Sequence, residues 1–154
     1  MGKSHGESDK FLRRFAGDTV PSISETWVGL LTVMPTSSSP TGYQEWRETD
    51  DPSDVIIVRK RVYPGVQSDT TLPYWSDPAV DGSAKEIHNT NGVRWISTET
   101  STLLNEAETV LGVGIFASET GSDLIYWNEL TTNMTVSQGE SVVFLDGKIK
   151  VTEQ

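Results

Sequence analysis

The sequence predicts an all-β protein, a jelly-roll-like antiparallel β-sandwich with a short N-terminal helix. Three observations carry that prediction. Serine and threonine supply 35 of the 154 residues and glycine another 13, a composition of turns and pleated surfaces on which β-branched side chains fit. The last fifty residues alternate short apolar runs with turn dipeptides, as the strands of a sandwich or jelly roll do. Breakers cluster at 35–42 and 64–83 with no repeat at a fixed period, which disfavours solenoids and propellers.

The chain divides into an N-terminal arm, residues 1–20, and a β-sandwich domain over 21–154. In the arm, Ser8 caps and Gly17 ends a helix over 8–17. Phe11, Leu12 and Phe15 share one side of it while Arg13 and Arg14 point away. That apolar side packs either on the chain's own sandwich or on another protein. Residues 1–15 carry four basic and two acidic side chains, leaving 8 basic and 20 acidic in the remainder. A basic arm ahead of an acidic body either reaches an acidic neighbour or is simply a disordered terminus. Phe11, Leu12, Arg13, Arg14 and Phe15 are therefore the candidate partner contacts.

After Pro21 the pattern becomes that of strands. Residues 27–34 are apolar enough for a central strand ending at Pro35. The run Val55–Val58 continues into Arg59-Lys60-Arg61, which cannot all face a core and reads as a charged edge that deters unwanted strand pairing. Residues 93–96 form a short strand, and 101–107 admit a helical turn or a loop. Residues 110–116 and 124–130 form a hairpin about a turn at 119–122. Residues 134–136 lead to a Gln138-Gly139 turn. The strand at 141–145 meets Asp146-Gly147, a strong hairpin dipeptide. Residues 148–152 then alternate with Ile149 and Val151 inward.

Little in the sequence carries chemistry. With Cys 0, disulfides, thiolate metal sites and a cysteine nucleophile are excluded. No apolar run approaches the roughly 20 residues of a membrane helix, and no signal-peptide core follows Met1 to His5. A formal net charge of −10 opposes binding along nucleic-acid phosphates. His5 and His88 stand far apart, and no carboxylate lies at zinc-ligand spacing from either. Asp50, Asp51 and Asp54, like Asp77, Asp81 and Glu86, lack calcium-loop spacing and read as solvated acidic loops. A glycosidase needs two carboxyls in an apolar cleft, and nothing marks such a pair. The expectation is a protein that is not an enzyme, with no catalytic residue, no cofactor and no metal.

Two further features have alternative readings. The string from Gly112 to Ala117 matches G-x-G-x-x-A, but its glycines sit inside a strand with no helix after them, so it is not a dinucleotide site. Glycine in a strand indicates close approach of a neighbour, and Trp127 is the expected one. Of five tryptophans, Trp27, Trp95 and Trp127 lie in strand patterns. Trp46 and Trp75 lie in loop-like stretches, where an indole stacks on a sugar, anchors an interface or packs under a loop. They are the candidate exposed aromatic contacts.

The strings Val113-Gly114-Ile115-Phe116-Ala117 and Gly121-Ser122-Asp123-Leu124-Ile125-Tyr126-Trp127-Asn128-Glu129-Leu130-Thr131-Thr132 resemble small bacteriophage virion β-sandwich proteins. So do Val136 to Phe144, the closing Ile149 to Thr152, the strand from Trp27 to Thr32 before Pro35-Thr36, and a short helix about Phe11–Phe15. The resemblance covers 11–36 and 110–152 and leaves the longer, more acidic 43–109 outside it. It implies a virion structural role and no catalytic residue. The first expectation is a capsid cement or decoration protein, assembled in the host cytoplasm onto the capsid exterior. Its partners would be the major capsid protein and itself, as a trimer or other homo-oligomer, with no direct nucleic-acid contact and no membrane. The alternative is a tail-associated or tail-fibre module that recognises a receptor or carbohydrate. A cell-wall hydrolase is the remote third reading.

Overall fold

The apolar run ending at Met34 forms the strand around which the largest sheet assembles. The computed structural model describes residues 2–3, 25–49, 56–65, 68–77, 79–81, 84–96, 102–103, 107–137 and 139–153. The arm's helix, with Phe11, Leu12, Arg13, Arg14 and Phe15, lies outside them. Among the described residues there is no helix, and every pairing between strands is antiparallel.

In the largest sheet, β1 (Gly2–Lys3) lies outermost and β2 (Thr26–Val33) is central. One edge of β2 is shared by β3 (Gln44–Glu45) and β6 (Lys60–Val62). Its other edge pairs with β12 (Ala107–Phe116), which pairs in turn with β13 (Leu124–Ser137), and β13 carries β1 opposite Tyr126 and Trp127. A small sheet joins β4 (Arg47–Thr49) to β5 (Ile56–Ile57) and β11 (Thr102–Leu103). Another groups β7 (Tyr74–Trp75), β8 (Ala79–Asp81) and β15 (Lys150–Glu153) about β9 (Ala84–Thr90). The last pairs β10 (Val93–Ile96) with β14 (Ser141–Phe144).

Three of the sheets share the larger apolar cluster, while Leu31, Phe116 and Leu124 form a second, smaller one. The larger cluster gives the sandwich its inside. It takes Val28 and Leu30 from β2, Val62 from β6, Val93 and Trp95 from β10, Val113 and Ile115 from β12, and Val142 and Val151 from β14 and β15. Ile149 and Val151 face inward as their alternation predicts. The hairpin of β12 and β13 also forms as predicted, but β13 runs on to Ser137 and absorbs the separate strand expected at 134–136. The stretch left open at 101–107 contributes β11 and the start of β12.

Arg59 departs from its predicted place on a charged edge. The backbone leaves strand geometry at Val58 and Arg59, and the Arg59 side chain turns inward, 1% exposed. Its Nε and Nη2 donate to Glu45 Oε1 at 2.8 Å and Oε2 at 2.7 Å. Nη1 donates to Ser118 O and Nη2 also to Gly121 O, each at 2.7 Å. The guanidinium carbon stands 3.5 Å from the centre of the Phe116 ring, a cation–π contact. A planar fork with five donors is the side chain that can make all these bonds at once.

Room for this arrangement comes from two glycines opposite each other, Gly29 on β2 and Gly114 on β12. A Cβ on Gly29 would lie 2.7 Å from Glu45 Oε1 and 2.9 Å from Phe116 Cε2. One on Gly114 would meet Leu124 Cδ1 at 2.8 Å and the same Phe116 carbon at 2.9 Å. The aromatic that presses on Gly114 is therefore Phe116, not Trp127, while Gly112 is crowded by the Met34 side chain and the Asn128 backbone carbonyl. The G-x-G spacing is a packing device here, with both glycines inside β12.

Two stability predictions follow from this centre. Glu45→Ala leaves the buried Arg59 with only a long ion pair to the exposed Asp123, 3.9 Å away, and should cost about 3–5 kcal/mol, read from urea denaturation midpoints. Burial raises the pKa of the Tyr43 phenol, Glu45 and Asp123 push it the same way, and Arg59 opposes them. The folded state thus holds that proton more tightly than the unfolded chain does. The stability this contributes is complete below about pH 10, the value for free tyrosine, and is lost as pH rises through the folded value. Tyr43→Phe should flatten that alkaline loss in denaturation midpoints measured across the range.

Candidate functional site

Trp46 and Trp75 do not serve as exposed contacts, because both are core residues, 1% and 7% exposed. Trp46 follows β3 directly, and its backbone N–H donates to Leu30 O on β2 at 2.9 Å, so the stretch that reads as a loop lies along a central strand. Trp75 belongs to β7, where it pairs with Asn89. Its Nε1 donates to Thr26 Oγ1 at 2.7 Å, and that hydroxyl donates to Val62 O at 2.7 Å. Packing, the blander reading of each indole, is the one realised. His88, the described histidine, lies beside Ser76, whose hydroxyl accepts its backbone N–H at 3.1 Å. Among the described residues no group of three or more His, Asp or Glu could hold a metal ion.

The site that the fold does build is an open cleft of about 310 Å³, at the small end of the roughly 300–1,000 Å³ typical of ligand pockets. Its first wall comes from an irregularity in the long hairpin. Between the pairs Val110↔Met134 and Gly112↔Glu129, β12 advances two residues while β13 advances five. The surplus pushes residues 130–133 out of the ladder, and bulges of this kind re-aim side chains. Asn128, Glu129, Leu130 and Thr131 line the cleft from this bulge, with Val113 of β12 beneath.

The opposite wall is the segment that links β14 to β15, from which Phe144, Lys148, Ile149 and Lys150 line the cleft. Local rules make Asp146-Gly147 the centre of a hairpin, and Gly147 does adopt a left-handed φ of 71°. The flanking strands nevertheless do not pair with each other. β14 pairs with β10 and β15 with β9. The fully buried Asn89 holds this corner. Its side chain donates to Leu145 O at 3.1 Å and to Asn91 O at 2.8 Å, and accepts from Ile149 N at 2.8 Å. Its backbone accepts from Gly147 N at 2.8 Å and donates to Ile149 O at 3.0 Å. The turn keeps its own closing bond, Lys148 N–H to Leu145 O at 3.1 Å, and the bonds to Asn89 replace the strand ladder that would otherwise continue from it. Asn91, at φ 64°, turns the chain from β9 into β10, in a region that asparagine tolerates.

The chemistry of the cleft is mixed. Val113 and Ile149 are buried and form an apolar floor. The Phe144 ring meets Trp95 edge-on at 6.0 Å, which restricts its movement. Lys150 Nζ is paired with Glu86 Oε1 at 2.9 Å. Lys148 and Glu129 are exposed on opposite walls. Sequence reasoning did not single out this cleft, because a five-for-two register slip follows from pairing, not from composition. The available signal was Asn128–Thr132, where β13 loses its apolar alternation.

The fold is that of a small antiparallel β-sandwich module with an open, polar-rimmed cleft among its described residues. Residues 9–152 match the family described as Podophage GP4 fiber I protein gp80, and the chain belongs to that family. It is a phage virion structural protein, and the match supports the fibre reading over the capsid-cement one. Comparison with curated proteins finds no match.

Removing the Asn89 side chain tests how the second wall is held. Asn89→Ala strands the Asn91 carbonyl and the Ile149 N–H, leaves Leu145 O with only the Lys148 N–H, and should cost about 1–3 kcal/mol. Amide exchange at 147–149 should quicken beyond the global change, which hydrogen-exchange mass spectrometry reads directly.

Proposed function

We propose that this protein is a component of a phage tail fibre, acting by contact and not by turnover. The observation that carries the reading is the family match over 9–152, nearly the whole chain, to a fibre protein. That match also spans 43–109, the segment that the resemblance to small virion proteins leaves out, so the acidic middle belongs to the same family unit. Capsid cement, the first expectation, has less support, since its motivation was a β domain with a basic arm, and that description suits a fibre component equally.

Self-association belongs to the same proposal. Fibre modules gain strength from repetition, since several weak contacts made by linked copies act at high effective concentration. Closed symmetry favours a trimer or similar ring, in which a neighbour covers exposed strand edges. A protein of net charge −10 also stays soluble before assembly. Immunogold labelling of intact virions with an antibody to this chain tests the placement. Label confined to the tail is expected; label spread over the capsid faces overturns the fibre reading.

A further inference from the structure

We propose that the cleft between the β13 bulge and the β14–β15 corner binds a neutral saccharide unit of a bacterial surface glycan. The inference rests on the fibre reading for the source of the glycan, and on the cleft itself for the chemistry.

The walls carry opposite charges that leave the site near neutrality. Lys150 is balanced by Glu86 at 2.9 Å. Glu129 and Lys148, exposed on opposite walls, make no ion pair among the described residues. A sugar hydroxyl both donates and accepts, so it can give a proton to the Glu129 carboxylate and take one from the Lys148 ammonium. Bonds with one ionised partner are stronger than neutral ones. An anionic ligand would meet Glu129 at close range and the field of a −10 protein at long range. A cationic one would meet Lys148 at close range. The ligand class that satisfies both walls is a neutral polyol.

The floor supplies the second half of saccharide recognition. Val113 and Ile149 at the base, with Phe144 and Leu130 on the walls, offer apolar surface, where the C–H face of a pyranose loses water favourably. The Phe144 ring is held by Trp95 before any ligand arrives, and the corner beneath it is tied by Asn89. A preformed site loses less entropy on binding. A volume near 310 Å³ limits the occupant to one or two sugar rings, with the remaining chain running out through the open side.

An array of neutral and acidic bacterial surface polysaccharides, probed with the full-length protein, tests the proposal. Retention of neutral glycans is expected. Glu129→Ala and Lys148→Ala should each weaken it about tenfold or more, the loss expected when a charge-assisted hydrogen bond is removed. Thr132→Ala, on the same strand but outside the cleft lining, should change nothing. Unchanged circular dichroism of the variants shows that they fold. No retention of any glycan, retention of acidic glycans alone, or retention indifferent to both substitutions overturns the inference. Tail labelling of virions without glycan retention sinks the cleft proposal and spares the fibre reading. Cleft-dependent retention with label on the capsid does the reverse.

Discussion

The buried pair of Arg59 and Glu45 is the constraint around which the largest sheet is arranged. It joins β3 to the chain entering β6, and through Ser118 O and Gly121 O it also ties down the turn of the β12–β13 hairpin. Three segments distant in sequence are thereby fixed on one side of Phe116. Taking both charges out of water carries a large desolvation cost, and an apolar pair of similar volume is often as stable or more so. What the pair adds is geometric: a guanidinium supplies donors in fixed directions to the two carbonyls of a largely exposed turn and so holds it to the sheet. The bare backbones of Gly29 and Gly114 are the other side of the same requirement, since any side chain there would displace Phe116 or Glu45.

A second polar residue organises the far end of the molecule. Asn89 is fully buried and uses its amide and its backbone to hold the corner from Leu145 to Ile149. An amide in an apolar interior is tolerable only when its donors and acceptors are matched, and here both kinds are engaged. The corner sends β14 and β15 to different partners and sets Phe144, Lys148 and Lys150 opposite the β13 bulge. The cleft thus exists because two departures from regular strand pairing face each other. In a virion protein of a fibre family, this leaves an open cleft on a β scaffold.

Much of this architecture was legible along the chain, for a physical reason particular to strands. Side chains alternate across a sheet with period two, so the apolar run at 27–34, the hairpin at 110–130 and the inward Ile149 and Val151 declare themselves locally. Composition alone set the all-β class and excluded thiol chemistry. The strings around Phe116 and Trp127 showed a phage virion protein, though capsid cement was the first expectation and the family match favours a fibre protein.

Partner choice was beyond the reach of local pattern. Asp146-Gly147 favours a tight turn, but only the position of β9 and β10 decides that the flanking strands separate. Arg59 looks like edge protection until Glu45 and two turn carbonyls are brought to it. Trp46 and Trp75 look exposed until β2 and β9 pass beside them. The cleft belongs with these: a register slip between β12 and β13 is a relation between two strands, and neither strand encodes it alone. Sequence by itself determined which segments extend and which side of each is apolar, because both are properties of successive residues. Tertiary structure decided which charges are buried and where a ligand fits, because both depend on neighbours dozens of residues away.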